Sequence, residues 1–470
     1  MLLLTLAPDA PQPLYRQIAE QIAARIEAGT LAAGEDLPSS RSLATRLGVN
    51  RSTVCRAYGE LLASGHLISR IGGRTTVREP LARPGRREPP SPARPALTRP
   101  VRSGDIDFRP LAPDPRLAPL DALRRAFNAT LREEGRTLLD YGDARGYAPL
   151  RAWIATRMAG LGAPRSSDEI LLCHGVQHAL DLLLRSRVRP GDAVCVEDPG
   201  YSALLPLLAR HGARAVGIPV TEDGMDLAAL SRALAATRPA LIYTMPNFQN
   251  PTGVTTGIAH REALLGLARA HSVPVVEDGF SEELKYFGRA VPPLAALDSG
   301  ETVIHLGTFS KLLSPGLRVG WIAAPAGQIA SLAALRRDTE LCGNPLAEAA
   351  LYRFCRSGGL DRLLRRLHAE YRRRMQCLLR AARTHLPAAG IRTTRPLGGF
   401  VFWVELDLPP DQETGLLDAF AAAGVHVAPG TPSRVEAPHG CAFRLSIAQC
   451  DEDAITTGLQ RIGSVLRARL

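Results

Sequence analysis

The sequence predicts a multidomain fold: a small, mainly α winged helix-turn-helix domain, followed by a larger α/β domain that ends in a smaller α+β lobe. First, a chain of 470 residues exceeds the size at which a single hydrophobic core keeps growing. Second, seven prolines fall within residues 80 to 100, which is typical of a stiff linker. Third, beyond these prolines helical patterns alternate with short apolar strands, which indicates a mainly parallel sheet.

The first domain is predicted over residues 1–78 as three helices and a hairpin. Apolar residues at helical spacing begin the first helix, namely Leu14, Ile18, Ile22 and Ile26, and Gly29 ends it. The second helix begins after Pro38-Ser39 and stops at Gly48, and the third begins at the capping residue Asn50 and stops at Gly65. Short apolar pieces at 67–71 and 75–77, joined by Gly72-Gly73, predict a β-wing.

In a helix-turn-helix, the N-terminal residues of the second helix of the pair enter the major groove of DNA. Arg51 is therefore a candidate for reading base edges, while Ser52, Thr53 and Arg41 are candidates for phosphate contacts. The full candidate set is Arg41, Asn50, Arg51, Ser52, Thr53, Arg56, Arg70 and Arg74, the last two flanking the wing turn. The alternative is that these are only exposed polar residues of a small helical domain.

Four segments make this domain similar to the winged helix of the GntR family across residues 12 to 78. They are Pro13-Leu14-Tyr15, Leu37-Pro38-Ser39-Ser40-Arg41-Ser42-Leu43-Ala44, Val49-Asn50-Arg51-Ser52-Thr53-Val54 and the Gly72-Gly73 wing. The resemblance implies binding to double-stranded DNA. The wing departs from the usual Gly-x-Gly-Thr, because Gly72-Gly73-Arg74-Thr75 stands there, so altered wing contacts are expected.

Charge and cysteine content fit this expectation. The formal charge is +11, and residues 1–78 hold nine arginines against six acids, which favours a polyanionic partner. Eight cysteines include no Cys-x-x-Cys pair, so neither a metal site nor a disulfide framework is predicted. No apolar run is long enough for a membrane span, and no signal peptide is recognised, so we expect a cytoplasmic protein without membrane contact.

After a linker at 79–104, residues 105–470 form the second predicted domain. Its large lobe is expected at about 140–345 and its small lobe at about 105–139 and 346–470. Strands are predicted at 170–172, 193–196, 215–218, 240–244, 274–276 and 303–305, with further strands near 399–405 and 442–447 in the small lobe. A long arginine-rich helical region is expected near 345–385.

Chemically useful residues follow several of these strands. The chain has only two lysines, and one of them, Lys311, directly follows a predicted strand, as does Asp278. Gly175-Val176-Gln177 precedes a helix whose amides suit a phosphate, and Arg318 is a candidate bidentate clamp. An amine, a carboxylate and a phosphate cup are what pyridoxal 5′-phosphate (PLP) needs from a protein. Taken singly, each is also typical of a solvated charge, a helix cap or a turn.

The order of these motifs resembles the class I/II aminotransferases across roughly residues 105 to 450. The segments are Tyr141-Gly142-Asp143, Gly175-Val176-Gln177, Asp198-Pro199-Gly200-Tyr201, Pro246-Asn247-Phe248-Gln249-Asn250-Pro251-Thr252-Gly253, Glu277-Asp278 and Ser310-Lys311-Leu312-Leu313-Ser314-Pro315-Gly316-Leu317-Arg318. The resemblance implies the PLP-dependent transferase fold type I.

The same resemblance assigns roles to individual residues. It implies that Lys311 forms the Schiff base with PLP, Asp278 pairs with the pyridine nitrogen, Asn250 bonds the ring hydroxyl and Tyr201 stacks on the ring. It places the phosphate against Gly175, Val176, Gln177, Ser310 and Arg318, and a substrate α-carboxylate on Arg444. Related regulators usually have a tyrosine two residues after the aspartate, where this chain has Phe280, so weaker tuning of the cofactor is expected.

A GntR-type head, a proline-rich linker and an aminotransferase-like domain together resemble the MocR subfamily of bacterial regulators. This implies a homodimeric, PLP-dependent transcriptional regulator that senses PLP or a small amine or amino acid and associates with the nucleoid when bound to DNA. One rival is a working aminotransferase with a DNA-binding head. Another is a pseudoenzyme without PLP whose fold only provides a dimerisation platform. Effector, operator and sign of regulation stay open.

Overall fold

The computed structural model describes residues 4–8, 10–69, 74–78, 100–298, 301–436 and 440–470. The chain divides into two compact units, Met1–Ala93 and Arg94–Leu470, so the division falls within the predicted linker. The exact domain and lobe boundaries stay a prediction. Arg70 and the predicted turn of the wing lie outside the described residues.

The first unit has the predicted order of elements. These are α1 (Leu14–Glu27), α2 (Ser40–Leu47), α3 (Arg51–Ala63), β1 (Leu67–Ser69) and β2 (Thr75–Val77), with β1 and β2 antiparallel. Gly48 ends α2 in the left-handed conformation, with φ of 64°. The Tyr58 hydroxyl of α3 donates to the carbonyl of Pro38 at 2.7 Å, which ties α3 to the start of α2. The helix-turn-helix with a β-hairpin is confirmed.

None of the described helices has a stretch long and apolar enough to cross a membrane. The second unit contains all elements that follow β2. Its strands are β3 (Ile106–Asp107), β4 (Ile170–Cys173), β5 (Ala193–Asp198), β6 (Arg214–Thr221), β7 (Gly224–Met225), β8 (Leu241–Thr244), β9 (Val275–Asp278), β10 (Val303–Thr308), β11 (Gly320–Ala323), β12 (Ile391–Thr393), β13 (Val401–Leu406), β14 (Val425–His426), β15 (Ala428–Pro429) and β16 (Cys441–Ser446). Its helices are α4 (Leu120–Leu138), α5 (Ala148–Gly160), α6 (Val176–Arg187), α7 (Leu204–Arg210), α8 (Leu227–Thr237), α9 (Ile258–Ala270), α10 (Leu294–Leu297), α11 (Ala326–Glu340), α12 (Pro345–Arg356), α13 (Gly359–His385), α14 (Glu413–Ala422) and α15 (Glu452–Arg467).

Eight strands form the large sheet in the order β4-β11-β10-β9-β8-β5-β6-β7. The neighbours from β10 to β6 are all parallel, while β11 runs antiparallel to β4 and β10 and β7 runs antiparallel to β6. The predicted, mainly parallel sheet is confirmed. All six strands predicted for this lobe belong to it, whereas β7 and β11 were not predicted.

Both faces of this sheet are covered by apolar packing. Along β9, Val275 belongs to one hydrophobic cluster and Val276 to another, and along β10 Val303 and Ile304 divide in the same way. Because neighbouring residues of a strand point to opposite faces, the two clusters lie on opposite sides of the sheet. The carboxyl ends of the strands are then the natural place for a ligand site.

The small lobe has a four-stranded antiparallel sheet in the order β12-β13-β16-β15. Helices α13 and α15 pack against each other. The short strand β3 pairs with β14, so the start of the second unit joins this lobe. The predicted α+β lobe at the C-terminal end is confirmed.

Candidate cofactor site and DNA-reading head

A cavity of about 140 Å³ lies at the carboxyl ends of the central strands of the large sheet. All nine residues predicted to hold PLP line it, namely Gly175, Val176, Gln177, Tyr201, Asn250, Asp278, Ser310, Lys311 and Arg318. They come from segments that lie up to 143 residues apart in the chain, and the parallel strands bring them to one edge.

Lys311 follows β10 and its side chain faces this cavity. Burial lowers the pKa of the Lys311 amine, and the nearby positive charge of Arg444 lowers it further. A lowered pKa increases the share of neutral amine at physiological pH, and the neutral form is the nucleophile in bond formation with an aldehyde. Lys311 is therefore suited to hold PLP covalently.

Asp278 ends β9 and is fully buried. Its Oδ2 accepts a hydrogen bond from the Tyr243 hydroxyl at 2.6 Å, and its Oδ1 accepts from the Phe280 amide at 3.1 Å. Burial raises the pKa of Asp278 to about 6, although the hydrogen bond from Tyr243 opposes this rise. A buried carboxylate with two neutral donors lacks a cation in direct contact, and a protonated pyridine nitrogen would supply one.

The phosphate cup is formed where α6 begins. Gly175 is the N-cap residue, with φ of 78° and no side-chain cap, so the first amides of α6 are free to bind an anion. The Arg318 guanidinium donates to the carbonyl of His174. A Cβ on Gly175 would lie 3.3 Å from Arg318 Nη2, so glycine keeps this cradle open.

Tyr201 is held beside the same helix. Its hydroxyl donates to Gln177 Oε1 at 3.2 Å, and Gln177 Nε2 donates to the carbonyl of Ala203 at 3.1 Å. The Gln177 side chain therefore orients the aromatic ring of Tyr201. The backbone amide of Gln177 is the group of this residue that can bind a phosphate. Burial raises the pKa of Tyr201 to about 12, so the phenol is neutral at physiological pH.

Arg444 lies on β16 and reaches towards Asn250 from the small lobe. Its Nη1 donates to Asn250 Oδ1 at 3.1 Å and its Nη2 to the carbonyl of Arg109 at 2.7 Å, while its Nε is buried without a partner. Burial lowers the pKa of Arg444 to about 10. No described acidic side chain forms an ion pair with it, so an anionic ligand would complete this site.

The sequence analysis missed some of the groups that shape the cavity. Leu111, Met245 and Thr308 also line it, and Tyr243 supports Asp278 from the neighbouring strand. The only signal for Tyr243 was a polar aromatic residue in an otherwise apolar strand. Phe280 lines the cavity as well, so the position that usually carries a phenol is occupied by a ring without a hydroxyl.

Within the described part of the chain, one group of three side chains is close enough to hold a metal ion: His174, His178 and Glu340. His178 Nδ1 accepts the amide of His174 at 3.1 Å, so in the neutral ring Nε2 carries the proton. That nitrogen lies 2.9 Å from Glu340 Oε1, and His174 Nε2 lies 3.1 Å from Glu340 Oε2. The cluster is therefore explained as a hydrogen-bonded network behind the phosphate cup.

In the first unit, the candidate DNA contacts from Asn50 to Arg56 cap α3 or lie in its N-terminal half, while Arg41 lies on α2 and Arg74 precedes β2. Arg41, Arg51, Ser52 and Arg56 are exposed, and Thr53 is half-buried. Two candidates have structural roles as well. Asn50 caps α3 by accepting the Ser52 amide at 3.0 Å, and the Arg56 guanidinium lies 4.0 Å from the centre of the Tyr15 ring. Arg74 pairs with Asp36 at 2.6 Å.

The residues of the cavity fit PLP. The structure supplies an amine, a buried carboxylate, a helix N-terminus with an arginine, and an aromatic face in one cavity. Lys311, Asp278 and Tyr201 would hold the aldehyde, the pyridine nitrogen and the ring face. When bound, PLP supplies an electrophilic carbon that condenses with amines and a ring that withdraws electrons.

Comparison with known proteins agrees with both units. Residues 112–462 match the family described as aminotransferase class I and II, and residues 14–81 match the bacterial regulatory proteins of the gntR family. The chain is similar to the α-aminoadipate aminotransferase LysN of Thermus thermophilus, whose crystal structure contains N-(5′-phosphopyridoxyl)-L-leucine. The identity is 32%, the TM-score is 0.73, and the match covers 78% of this chain and 92% of that one.

Two relatives that are named as regulators match most of this chain. The pyridoxine biosynthesis regulator PdxR of Corynebacterium glutamicum is 32% identical over 90% of this chain and 89% of its own length. The probable rhizopine catabolism regulatory protein MocR of Rhizobium meliloti is 32% identical over 82% of this chain and 80% of its own length. This chain carries a GntR-type DNA-binding head followed by a PLP domain, and it belongs to the MocR subfamily of GntR-type transcriptional regulators.

Proposed function

We propose that this PLP-dependent regulator senses an amino compound that bears a carboxylate and responds by changing its affinity for double-stranded DNA. The observation that carries the proposal is Arg444, a buried guanidinium beside the cofactor cavity that has no acidic partner among the described residues. A carboxylate is the ligand group that such a guanidinium binds best, because the planar fork of donors matches its two oxygens.

Three residues in or beside the cavity have a part in this response. Lys311 would hold PLP in place, and an amino compound would compete with the Lys311 amine for the cofactor. Arg444 then fixes the carboxylate of that compound, and Asn250 is linked to the same guanidinium. The ligand can change DNA affinity only by its differential affinity for two arrangements of the protein.

The proposal includes a homodimer. Large apolar side chains are exposed on one part of the second unit: Leu139 is 79% exposed, Tyr141 76% and Leu341 54%. A Cβ on Gly142 would lie 3.1 Å from Pro345, so the chain next to Tyr141 packs close to the segment that follows Leu341. A second copy of the chain would cover these residues. Light scattering during size-exclusion chromatography should give twice the mass of one chain, and a single-chain mass would contradict the dimer.

Arg51→Ala should weaken binding to the operator about tenfold to a hundredfold, the range for loss of one base-reading arginine. Arg51 stands at the first position of α3, where side chains reach base edges. Fluorescence anisotropy at fixed salt, on the operator and on an unrelated duplex, measures both affinities. The ratio between the two affinities should fall as well.

Arg16→Ala is the matched control for Arg51→Ala. It also removes one positive charge, from the exposed part of α1 in the same unit. Operator affinity within about twofold of wild type is expected for this control. Equal losses in both variants would show that only net charge counts, and α3 would no longer be the reading helix.

The experiment that tests the function as a whole is anisotropy on DNA from upstream of the protein's own gene. It compares the protein alone, with PLP, and with PLP plus a panel of amino acids, at one salt concentration because phosphate contacts depend on salt. A selective affinity that changes with one carboxylate-bearing amine supports the proposal. No selective binding on this or other candidate promoters would contradict it.

A second candidate function is aminotransferase activity, because the cavity contains Lys311, Asp278, Asn250 and Arg444 together. Sustained transfer of an amino group from an amino acid to a keto acid would support it. Turnover at about 1 per second or faster is ordinary for enzymes, and only rates of that order would make catalysis the main role.

As a regulator of bacterial genes, the protein is proposed to act in the cytoplasm, at the nucleoid when bound to DNA.

A further inference from the structure

Four ionisable side chains are buried together beside the strand that carries Asp278. They are Arg261 of α9, Glu277 of β9, Glu282 of the following segment and His305 of β10. The side chains of His305, Glu277 and Glu282 are 1%, 0% and 9% exposed, and Arg261 is fully buried. None of them lines the PLP cavity, so the cofactor chemistry described above leaves them unexplained.

The His305 ring lies between two carboxylates. Its Nδ1 is 3.0 Å from Glu277 Oε2 and its Nε2 is 3.3 Å from Glu282 Oε1. An ionised carboxylate only accepts hydrogen bonds, whereas a neutral imidazole has one N–H and one lone pair. A neutral ring would therefore present a lone pair to one of the two oxygens. Nε2 and Glu282 form an ion-pair contact without hydrogen-bond geometry, and only the imidazolium is attracted to both carboxylates. Burial opposes the charge, but the two glutamates outweigh it and raise the pKa of His305 to about 10.

Arg261 completes the charge balance. Its guanidinium donates to Asn247 Oδ1 at 2.7 Å and to the carbonyl of Pro246 at 3.0 Å, at the start of the segment that ends in Asn250. Two cations and two anions make the group neutral when His305 is protonated and both glutamates are ionised. Burial raises the pKa of Glu282, and the charge of His305 opposes that rise. Loss of the His305 charge would leave a net negative charge beside Asp278, in an interior where charges interact strongly.

The turn after Asp278 is shaped around the imidazole. A Cβ on Gly279 would lie 2.8 Å from His305 Cε1 and 3.0 Å from the Glu282 carboxyl carbon, so a larger residue has no room. The Gly279 amide donates to the carbonyl of Leu306 at 2.8 Å, and Leu306 pairs with Asp278 across β9 and β10. His305 is thus in direct contact with the residue that follows the cofactor's carboxylate.

We propose that His305 is a positioning residue for PLP: as an imidazolium it fixes the turn after Asp278 and supplies the positive charge that keeps the Asp278 carboxylate ionised opposite the pyridine nitrogen. The direct partners of Asp278, the Tyr243 hydroxyl and the Phe280 amide, are neutral donors and cannot provide that charge. This proposal rests on PLP binding alone and is independent of which effector the protein senses.

The test uses the full chain with PLP and no DNA, and compares wild type with His305→Gln and Glu282→Gln. The readouts are the affinity for PLP and the midpoint pH of the absorption change of the bound cofactor. His305→Gln removes a positive charge, so protonation of the bound cofactor becomes easier and the midpoint pH should rise. A rise of about one pH unit is expected for the loss of one buried charge. PLP affinity should fall about tenfold in the same variant.

Glu282→Gln removes a negative charge from the same group, so the midpoint should move down. Opposite shifts in the two variants support an electrostatic role, which a space-filling side chain cannot produce. His211→Gln is the control, because that ring pairs with Asp181 at 2.8 Å outside the cavity and its loss should leave the midpoint unchanged.

Shifts of equal sign in both variants, or no shift in folded protein with wild-type melting temperature, would overturn the proposal. If His305→Gln does not fold, the Glu282→Gln midpoint decides alone, and an unchanged midpoint overturns the proposal. A failure here would leave the DNA response to effectors untouched, so the two proposals fail separately.

Discussion

Lys311→Ala should abolish covalent retention of PLP by this protein. After borohydride reduction and denaturation, wild-type protein should keep the cofactor on a peptide that contains Lys311, and the variant should keep none. The concentration of PLP needed for half-saturation should rise about tenfold to a hundredfold, since phosphate and ring contacts remain when the covalent bond is lost. Any DNA response to PLP should shift to the same higher concentrations.

The chain provides its own control for this experiment. Lys285 is the only other lysine of the sequence, and it does not line the cofactor cavity. Lys285→Ala should retain the cofactor like wild type, which would show that attachment depends on position and not on a free amine. Cofactor found on Lys285 in wild-type protein would refute the assignment of Lys311.

Arg444→Gln should weaken the response to carboxylate-bearing effectors about tenfold to a hundredfold while PLP binding persists. Loss of a bidentate, charge-assisted pair costs about 1.5–3 kcal/mol, which corresponds to a concentration about tenfold to a hundredfold higher for the same effect. The measurement is a titration of the DNA response with the active amino acid, in parallel with the absorption of bound PLP. Wild-type absorption in the variant would show that the cofactor site is intact.

Two comparisons make this prediction specific. Arg434→Gln is the matched control, because Arg434 belongs to the same lobe but pairs with Glu405 at 2.7 Å and does not line the cofactor cavity. An amine that lacks the carboxylate should affect wild type and Arg444→Gln alike. An unchanged effector titration in Arg444→Gln would rule out Arg444 as the carboxylate anchor.

The sequence predicted the parts of the fold that depend on hydrophobic patterning. Strand β4 and the first four residues of β5 are continuous apolar runs next to helices, and a run of this kind indicates a buried strand. Lys311 and Asp278 were identified because each follows such a strand, and the carboxyl ends of parallel strands meet at one edge. The family resemblance then supplied the roles that position alone does not give.

Other features could not be predicted because they depend on side chains that are far apart in the chain. The Gln177 side chain holds Tyr201, which is 24 residues away, and only the folded structure shows that its backbone is left for phosphate. The burial of His305 between two acids likewise needs the register of β9 and β10. Strand β11 was missed because four residues after a turn carry little periodicity.

The hydrogen bond from Arg444 to the carbonyl of Arg109 has a mechanical consequence. Arg109 and Leu111 belong to the first described stretch after the linker, and both touch the ligand region, one through its carbonyl and the other in the cavity wall. Between the linker and this anchor, β3 (Ile106–Asp107) pairs with β14, and the Phe108 amide donates to the carbonyl of His426 at 2.8 Å. Arg444 therefore acts as a clamp that joins three parts of the second unit: the proposed carboxylate position, the first stretch after the linker and strand β16 of the small lobe.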